Sequence, residues 1–323
     1  MTLPMTDINH LPLGFGCSSL MGHGTPQERM ALLETAFDTG IRHFDVARFY
    51  GFGEAEAALG DFIKTRRADV TVTTKFGITP PAQSSALKSV LRLARRVAAK
   101  SPLLRRGMSG SAGKLIKSGD FSVAAAQKSL ETSLRLLQTE YIDFYLLHDC
   151  RVEDATDDLF QFLQRSVQEG KIRRFGLGTD IKIIEELSRS KPEYAGVIQF
   201  ENSVLRQNLA SLPALPERIV FTHRALNESY DKVWQFFTSD PKAAARWSGK
   251  IGVDCTDPGV VGDLMLNYAV SANVGGRVLF SSRSKSRIQS NVRAVESSSF
   301  SPEQLRLFAD VIQEPALQTE SEA

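Results

Sequence analysis

Short apolar runs rich in Val, Ile, Leu and Phe recur along the chain, with longer amphipathic stretches between them. Eight of these runs read as strands: LPLGFGC (11–17), IRHFDV (41–46), DVTVTTKF (69–76), YIDFYLLH (141–148), IRRFGLGT (172–179), AGVIQF (195–200), ERIVFT (217–222) and GRVLFSS (276–282). The stretches between them carry helix punctuation. TPQERMALLETAFDTG (25–40) has a Thr cap, an early Pro, an acidic first turn and a terminal Gly. SVAAAQKSLETSLRLLQ (122–138) keeps apolar residues at helical spacing. EDATDDLFQFLQRSVQEG (153–170) starts acidic and ends in Gly, which complements the helix dipole. Eight strand–helix alternations predict a (β/α)8 TIM barrel, an α/β fold, as a single domain over 1–323. The alternative is an open doubly wound sheet with a G-x-G-x-x-G turn after an early strand. GFGEAEAALG (51–60) has the G-x-G but lacks the third Gly.

Two regions break the rhythm and predict long insertions after strands three and seven, at about 81–120 and 223–258. The first holds nine basic residues from Lys88 to Lys117 and no acid before Asp120. It reads either as a solvated insertion or as a rim element closing over an anionic substrate. The second holds both tryptophans, Trp234 and Trp247. A polar tail follows from about 314 to 323.

The chain is 42% hydrophobic and 24% charged, which suits a globular protein with a large core. A formal net charge of +2 gives no reason to expect nucleic acid or a membrane as partner. Cys17, Cys150 and Cys255 are odd in number and form no C-x-x-C pair, so a reducing cytoplasm is expected. The first residues do not read as a signal peptide, and no apolar run reaches membrane-spanning length.

In a barrel, side chains at the C-terminal strand ends face the active site. Strand two ends in Asp45, with Tyr50 just beyond it. Strand three ends in Lys75 and strand four in His148. Each has a bland reading alone: a helix cap, a rim aromatic, a solvated lysine, a core histidine. Together they suit proton donation to a carbonyl oxygen. A free tyrosine, with a pKa of about 10, is a poor acid near neutrality. A neighbouring ammonium lowers that value, so Lys75 is expected to tune Tyr50, with Asp45 holding Lys75 and His148 orienting the substrate oxygen. Two rivals are a Schiff-base aldolase-type barrel using Lys75 and a non-catalytic nucleotide sensor or regulatory subunit.

GIRHFDVARFYGFGEAEAALG, TTKFG and SLETSLRLLQTEYIDFYLLH resemble the signature segments of the aldo-keto reductase family. The resemblance runs from GFGCSS to SNVRAVE. It implies NADPH-dependent reduction of a small aldehyde or ketone, or the reverse oxidation, with Asp45, Tyr50, Lys75 and His148 as the catalytic tetrad. It implies NADP(H) in preference to NAD(H), no metal, and leaves the oligomeric state open. Gly16, Cys17 and Ser18 would line the cofactor's reactive end, beside Asp45. Gln199 would bond the nicotinamide carboxamide, and Phe221 would stack on its ring. Thr179-Asp180 stands where the family usually has Ser-Asn. LFSSRSKSRIQSN (279–291) matches the segment that grips the 2′-phosphate through Ser282, Arg287 and Asn291, with Arg283 adding charge. Independently, serines before a helix start and basic residues after strand eight suit a phosphate.

Overall fold

The computed structural model describes residues 11–21, 24–78, 119–212 and 218–313. The basic segment 86–117 and the tail 314–323 lie outside them. Strands β1 (Leu13–Gly16), β2 (His43–Asp45), β3 (Thr71–Phe76), β4 (Ile142–His148), β5 (Ile172–Gly178), β6 (Val197–Glu201), β7 (Ile219–His223) and β8 (Arg277–Phe280) pair in parallel and in chain order. β8 pairs back onto β1 and closes the barrel, which excludes the open doubly wound sheet.

Helices α1 (Pro26–Asp38), α2 (Glu54–Ile63), α3 (Val123–Leu137), α4 (Asp157–Gln168) and α5 (Ile181–Ser190) follow the first five strands. Their starts are chemically marked. Thr25, Ser122, Thr156 and Asp180 each accept a backbone N–H of the first turn, as good caps do. Between β6 and β7 the described residues hold a single short turn, Asn208–Ser211. Three helices follow β7: α6 (Asn227–Ser239), α7 (Pro241–Ile251) and α8 (Pro258–Ala272). The insertion expected at 223–258 is therefore the helix pair α6–α7. β8 leads into α9 (Lys285–Glu296) and α10 (Pro302–Ile312). No helix among the described residues is long and apolar enough to cross a membrane.

Alternation along the strands sorts the apolar residues into an inner and an outer set. Phe144, Leu146, Val197, Ile219, Phe221 and Leu279 form a compact cluster inside the barrel. His43 joins it, stacked on Phe221 with ring centroids 4.4 Å apart. Gly14 belongs here because a Cβ would fall 2.6 Å from Leu279 and 2.9 Å from His43. The outer set, with Phe15, Phe44, Tyr145 and Leu147, packs against the helices. A second core sits apart from both. Phe236, Phe237, Trp247, Leu264 and Phe308 join α6, α7, α8 and α10, with Phe236 stacked on Trp247 at 3.9 Å.

This layering corrects one expectation. Phe221 has no exposed surface and is enclosed by His43 and Phe144, so it cannot meet a nicotinamide ring. It is a filler of the barrel interior. Truncating it should leave a cavity that rigid strands cannot collapse. Phe221→Ala is expected to lose about 3–5 kcal/mol in urea unfolding, in line with other buried Phe truncations. A loss below about 1 kcal/mol would show that the interior is loosely filled.

Candidate active site

Register brings the ionisable residues of β2 to β4 to one level. Asp45 pairs with Thr73, so Lys75 stands two residues further up β3, on the same inner face. The Lys75 ammonium donates to both Asp45 carboxylate oxygens, at 2.7 and 2.6 Å, and to the Val46 carbonyl at 3.2 Å. Both side chains are almost wholly buried. Tyr50 comes from the turn Tyr50–Gly53 beyond β2. The Lys75 Nζ lies 5.2 Å from the Tyr50 ring centroid. The Tyr50 and His148 rings meet edge to face, 6.0 Å apart at 85°. Gly51 keeps the turn low: its φ is +60°, and a Cβ there would collide with Met21. All four residues line one cleft of about 1120 Å³ at the C-terminal mouth of the barrel.

Burial dominates the electrostatics. It works to lower the Lys75 pKa, but the charges of Asp45 and Tyr50 outweigh it and hold the ammonium above its usual range. Burial raises the Asp45 carboxyl, and Lys75 offsets part of that rise. Tyr50 departs from expectation. Its pKa was expected below 10, yet burial raises it, Lys75 pulls it back in part, and Asp45 adds to the rise. The phenol is therefore a protonated donor in the neutral range. His148 is pushed down to about 3 by burial, then by Lys75 and His223, so its ring is neutral. Its Nδ1 is buried without a partner among the described residues.

The other expected residues divide. Gly16 and Ser18 line the cleft, and Ser18 meets Ser281 at 3.1 Å. Cys17 does not. Cys17 shares the parity of Phe15, so strand alternation sends its thiol into the outer core, where burial raises its pKa. Thr179 and Asp180 line the cleft but are committed to the fold. Thr179 donates to the Cys150 carbonyl at 2.9 Å, and Asp180 caps α5 by accepting from the Lys182 N–H. Gln199 reaches the cleft wall, and its buried Oε1 has no partner among the described residues. Ser282, Arg283, Arg287 and Asn291 line the far end. There Ser284 caps α9, accepting from the Arg287 N–H, while Ser282 donates to the Ser284 carbonyl. Among the described residues no group of three or more His, Cys, Asp and Glu could hold a metal.

The aldo/keto reductase family model matches residues 12–213, well over half of the chain and including every tetrad position. The chain belongs to the aldo/keto reductase family. Among curated sequences it is 30% identical to YqkF of Bacillus subtilis, an uncharacterized oxidoreductase, over 178 residues, or 55% of this chain and 47% of that protein. It spans about half the length of the curated relatives it matches. Among solved aldo-keto reductases, the holo form of AKR11C1 from Bacillus halodurans superposes with a TM-score of 0.67 at 23% identity, covering 93% of this chain and 91% of that one. A Klebsiella pneumoniae aldo-keto reductase in complex with NADPH gives 0.64 at 20% identity, over 95% and 92%.

Sequence reading missed four rim residues of this aldo/keto reductase. Glu201 and His223 end β6 and β7, one residue beyond the expected strand ends, and pair in register. Counting by twos from Gln199 and Phe221 would have found them. His223 takes the inward rim position that had been given to Phe221, and Glu201 bridges Arg206 at 3.2 Å and Arg224 at 3.1 Å. Asp149 and Arg224 also line the mouth, both with left-handed backbones, φ 50° and 61°. Non-Gly residues seldom adopt that conformation, so no propensity signal marks them.

One buried histidine and two half-buried ones at the cleft set an acid limit. His43, His148 and His223 are all held neutral, the last two with pKa values of about 3, first by burial and then by nearby cations. The unfolded chain takes up these protons near pH 6.5 and the folded chain does not. Stability should thus be full above about pH 6.5 and fall as the pH drops toward 3. Urea midpoints measured from pH 7.5 to 4.5 should show this slope, and His223→Gln should flatten it. An unchanged slope in that variant would mean His223 is already charged in the folded protein.

Proposed function

We propose that this chain interconverts a small aldehyde or ketone and its alcohol with NADP(H), with Tyr50 transferring the proton. The observation that carries this reading is the meeting, in one cleft, of a protonated phenol, a neutral imidazole and a buried Lys–Asp pair. NADPH, when bound, supplies the hydride. Tyr50 gives its proton to the carbonyl oxygen as charge develops there. The Lys75 ammonium near its ring stabilises the phenolate left behind. His148, being neutral, can hydrogen-bond the same oxygen and hold it beside Tyr50 without adding charge.

Residues present in the cleft fit the cofactor. The unpartnered Gln199 Oε1 is a buried acceptor suited to a carboxamide N–H. At the far end, the capped N-terminus of α9 offers backbone N–H groups and a favourable dipole to a phosphate. Arg283 and Arg287 flank it, in no ion pair with a described residue. The NADPH found in the Klebsiella pneumoniae relative accords with this fit. The Schiff-base reading loses support. A nucleophilic lysine needs a neutral amine, whereas Lys75 has three acceptors and a raised pKa. The sensor reading drew slight support from the Thr179-Asp180 departure, and the Asp180 carboxylate has a structural use as a cap.

Tyr50→Phe keeps the ring and removes the donor. Following NADPH absorbance across a carbonyl panel, its turnover should fall at least about a hundredfold, with NADPH affinity nearly unchanged. Turnover near wild type would sink the role given to Tyr50. Arg287→Ala tests the phosphate end. It should weaken NADPH by about 1.5–3 kcal/mol, the worth of a charge-assisted bond, and leave NADH almost untouched. Equal losses for the two cofactors would show that Arg287 does not read the 2′-phosphate.

A further inference from the structure

Behind the cleft wall lies a buried charge that the proposed reaction does not use. Glu56, on α2, has no exposed surface. Its Oε2 accepts from Arg48 Nη1 at 2.7 Å. Its Oε1 accepts from Thr74 Oγ1 and from Ser133 Oγ, both at 2.7 Å. One carboxylate thus joins the loop after β2, the strand β3 and the helix α3.

What it joins decides what it does. Arg48 lies between Asp45 and Tyr50 in the chain, and its guanidinium also packs at the floor of the Tyr50–Gly53 turn, where a Cβ on Gly53 would sit 3.3 Å from Nη1. Thr74 is the residue before Lys75. Strand alternation points Lys75 inward to Asp45 and Thr74 outward to Glu56. Glu56 therefore ties the loop that carries the proton donor, through the Arg48 guanidinium, to the strand that carries its cation, through the Thr74 hydroxyl. An isolated carboxylate would be too costly to bury in this place, so the Arg48 partner and both hydroxyls are needed to keep it.

We infer that Glu56, through Arg48 and Thr74, is a positioning residue that sets the distance between the Tyr50 phenol and the Lys75 ammonium. It touches neither substrate nor cofactor. The inference rests on the reading of Tyr50 as proton donor, and predicts a loss confined to the step in which Tyr50 acts.

The test compares Glu56→Gln, Tyr50→Phe and the double variant in full-length protein, each checked for a cooperative thermal transition above the assay temperature. Glu56→Gln keeps an acceptor for Thr74 and Ser133 but breaks the ion pair. It should lower kcat by about ten- to a hundredfold, the range that follows from displacing a reacting group by up to 1 Å. KM and the NADPH dissociation constant should stay within about twofold, because no binding contact is lost. In the Tyr50→Phe background, Glu56→Gln should cost almost nothing more. Unchanged kcat in Glu56→Gln overturns the inference, and so does a loss that persists in full once Tyr50 is gone. If Tyr50→Phe alone turns over like wild type, the donor assignment fails and the positioning role falls with it. Should Glu56→Gln not fold, Arg48→Met/Glu56→Met removes both charges and leaves no unpaired ion buried. It should show the same kcat loss, and a return to wild-type kcat would mean the pair merely neutralises itself.

Discussion

Two full charges sit almost wholly buried at the mouth of the barrel, and they are tolerable there because Asp45 and Lys75 face each other through two short bonds. Taking either ion out of water costs several kcal/mol, which geometry this close is needed to offset. The pair constrains everything around it. It demands that β2 and β3 hold their register, since a one-residue slip would turn Lys75 outward. It occupies the ammonium with three acceptors and holds it charged, which suits a fixed field and not a nucleophile. That field helps keep His148 and His223 neutral and tempers the rise in the Tyr50 pKa.

The fold was legible because its signals are local. Apolar runs bounded by helix caps located all eight strands, and the ends of β2, β3 and β4 placed Asp45, Lys75 and His148. What failed to show depends on three-dimensional surroundings. Phe221 looks like a rim aromatic if the strand is taken to stop at Thr222. One residue more, and the parity of β7 puts Phe221 in the interior and His223 at the rim. Cys17 was misplaced because it was grouped with its neighbours Gly16 and Ser18, whereas the period of two puts it outward with Phe15. The direction of the Tyr50 pKa was unreadable because charge partners can be guessed from spacing, whereas the depth of burial cannot.

Strand β3 shows how closely support and chemistry are interleaved. Thr74 and Lys75 differ by one position and face opposite sides of the wall, one toward Glu56 and the helices, the other toward the cleft. The family match ends at residue 213, so it takes in both of them, together with Tyr50, His148 and Gln199. The basic start of α9 and most of the second core lie beyond that boundary.

The second core also bears on how the protein comes into being. Val204, just after β6, belongs to the same cluster as Phe308 and Ile312 of α10, and the Gln313 side chain donates to the Val204 carbonyl at 2.7 Å. A ribosome delivers β6 roughly a hundred residues before α10, at about 5–20 residues per second. During those seconds the apolar faces of α6, α7 and α8 have no α10 to cover them. Tyr230 of α6 and Leu266 of α8 line the cleft, so the wall on that side takes its final form last. The nascent chain can build the inner face of β1 to β6 early, but the complete cleft must wait for α10 to emerge, and a truncation within α10 would expose the Trp247 cluster to aggregation.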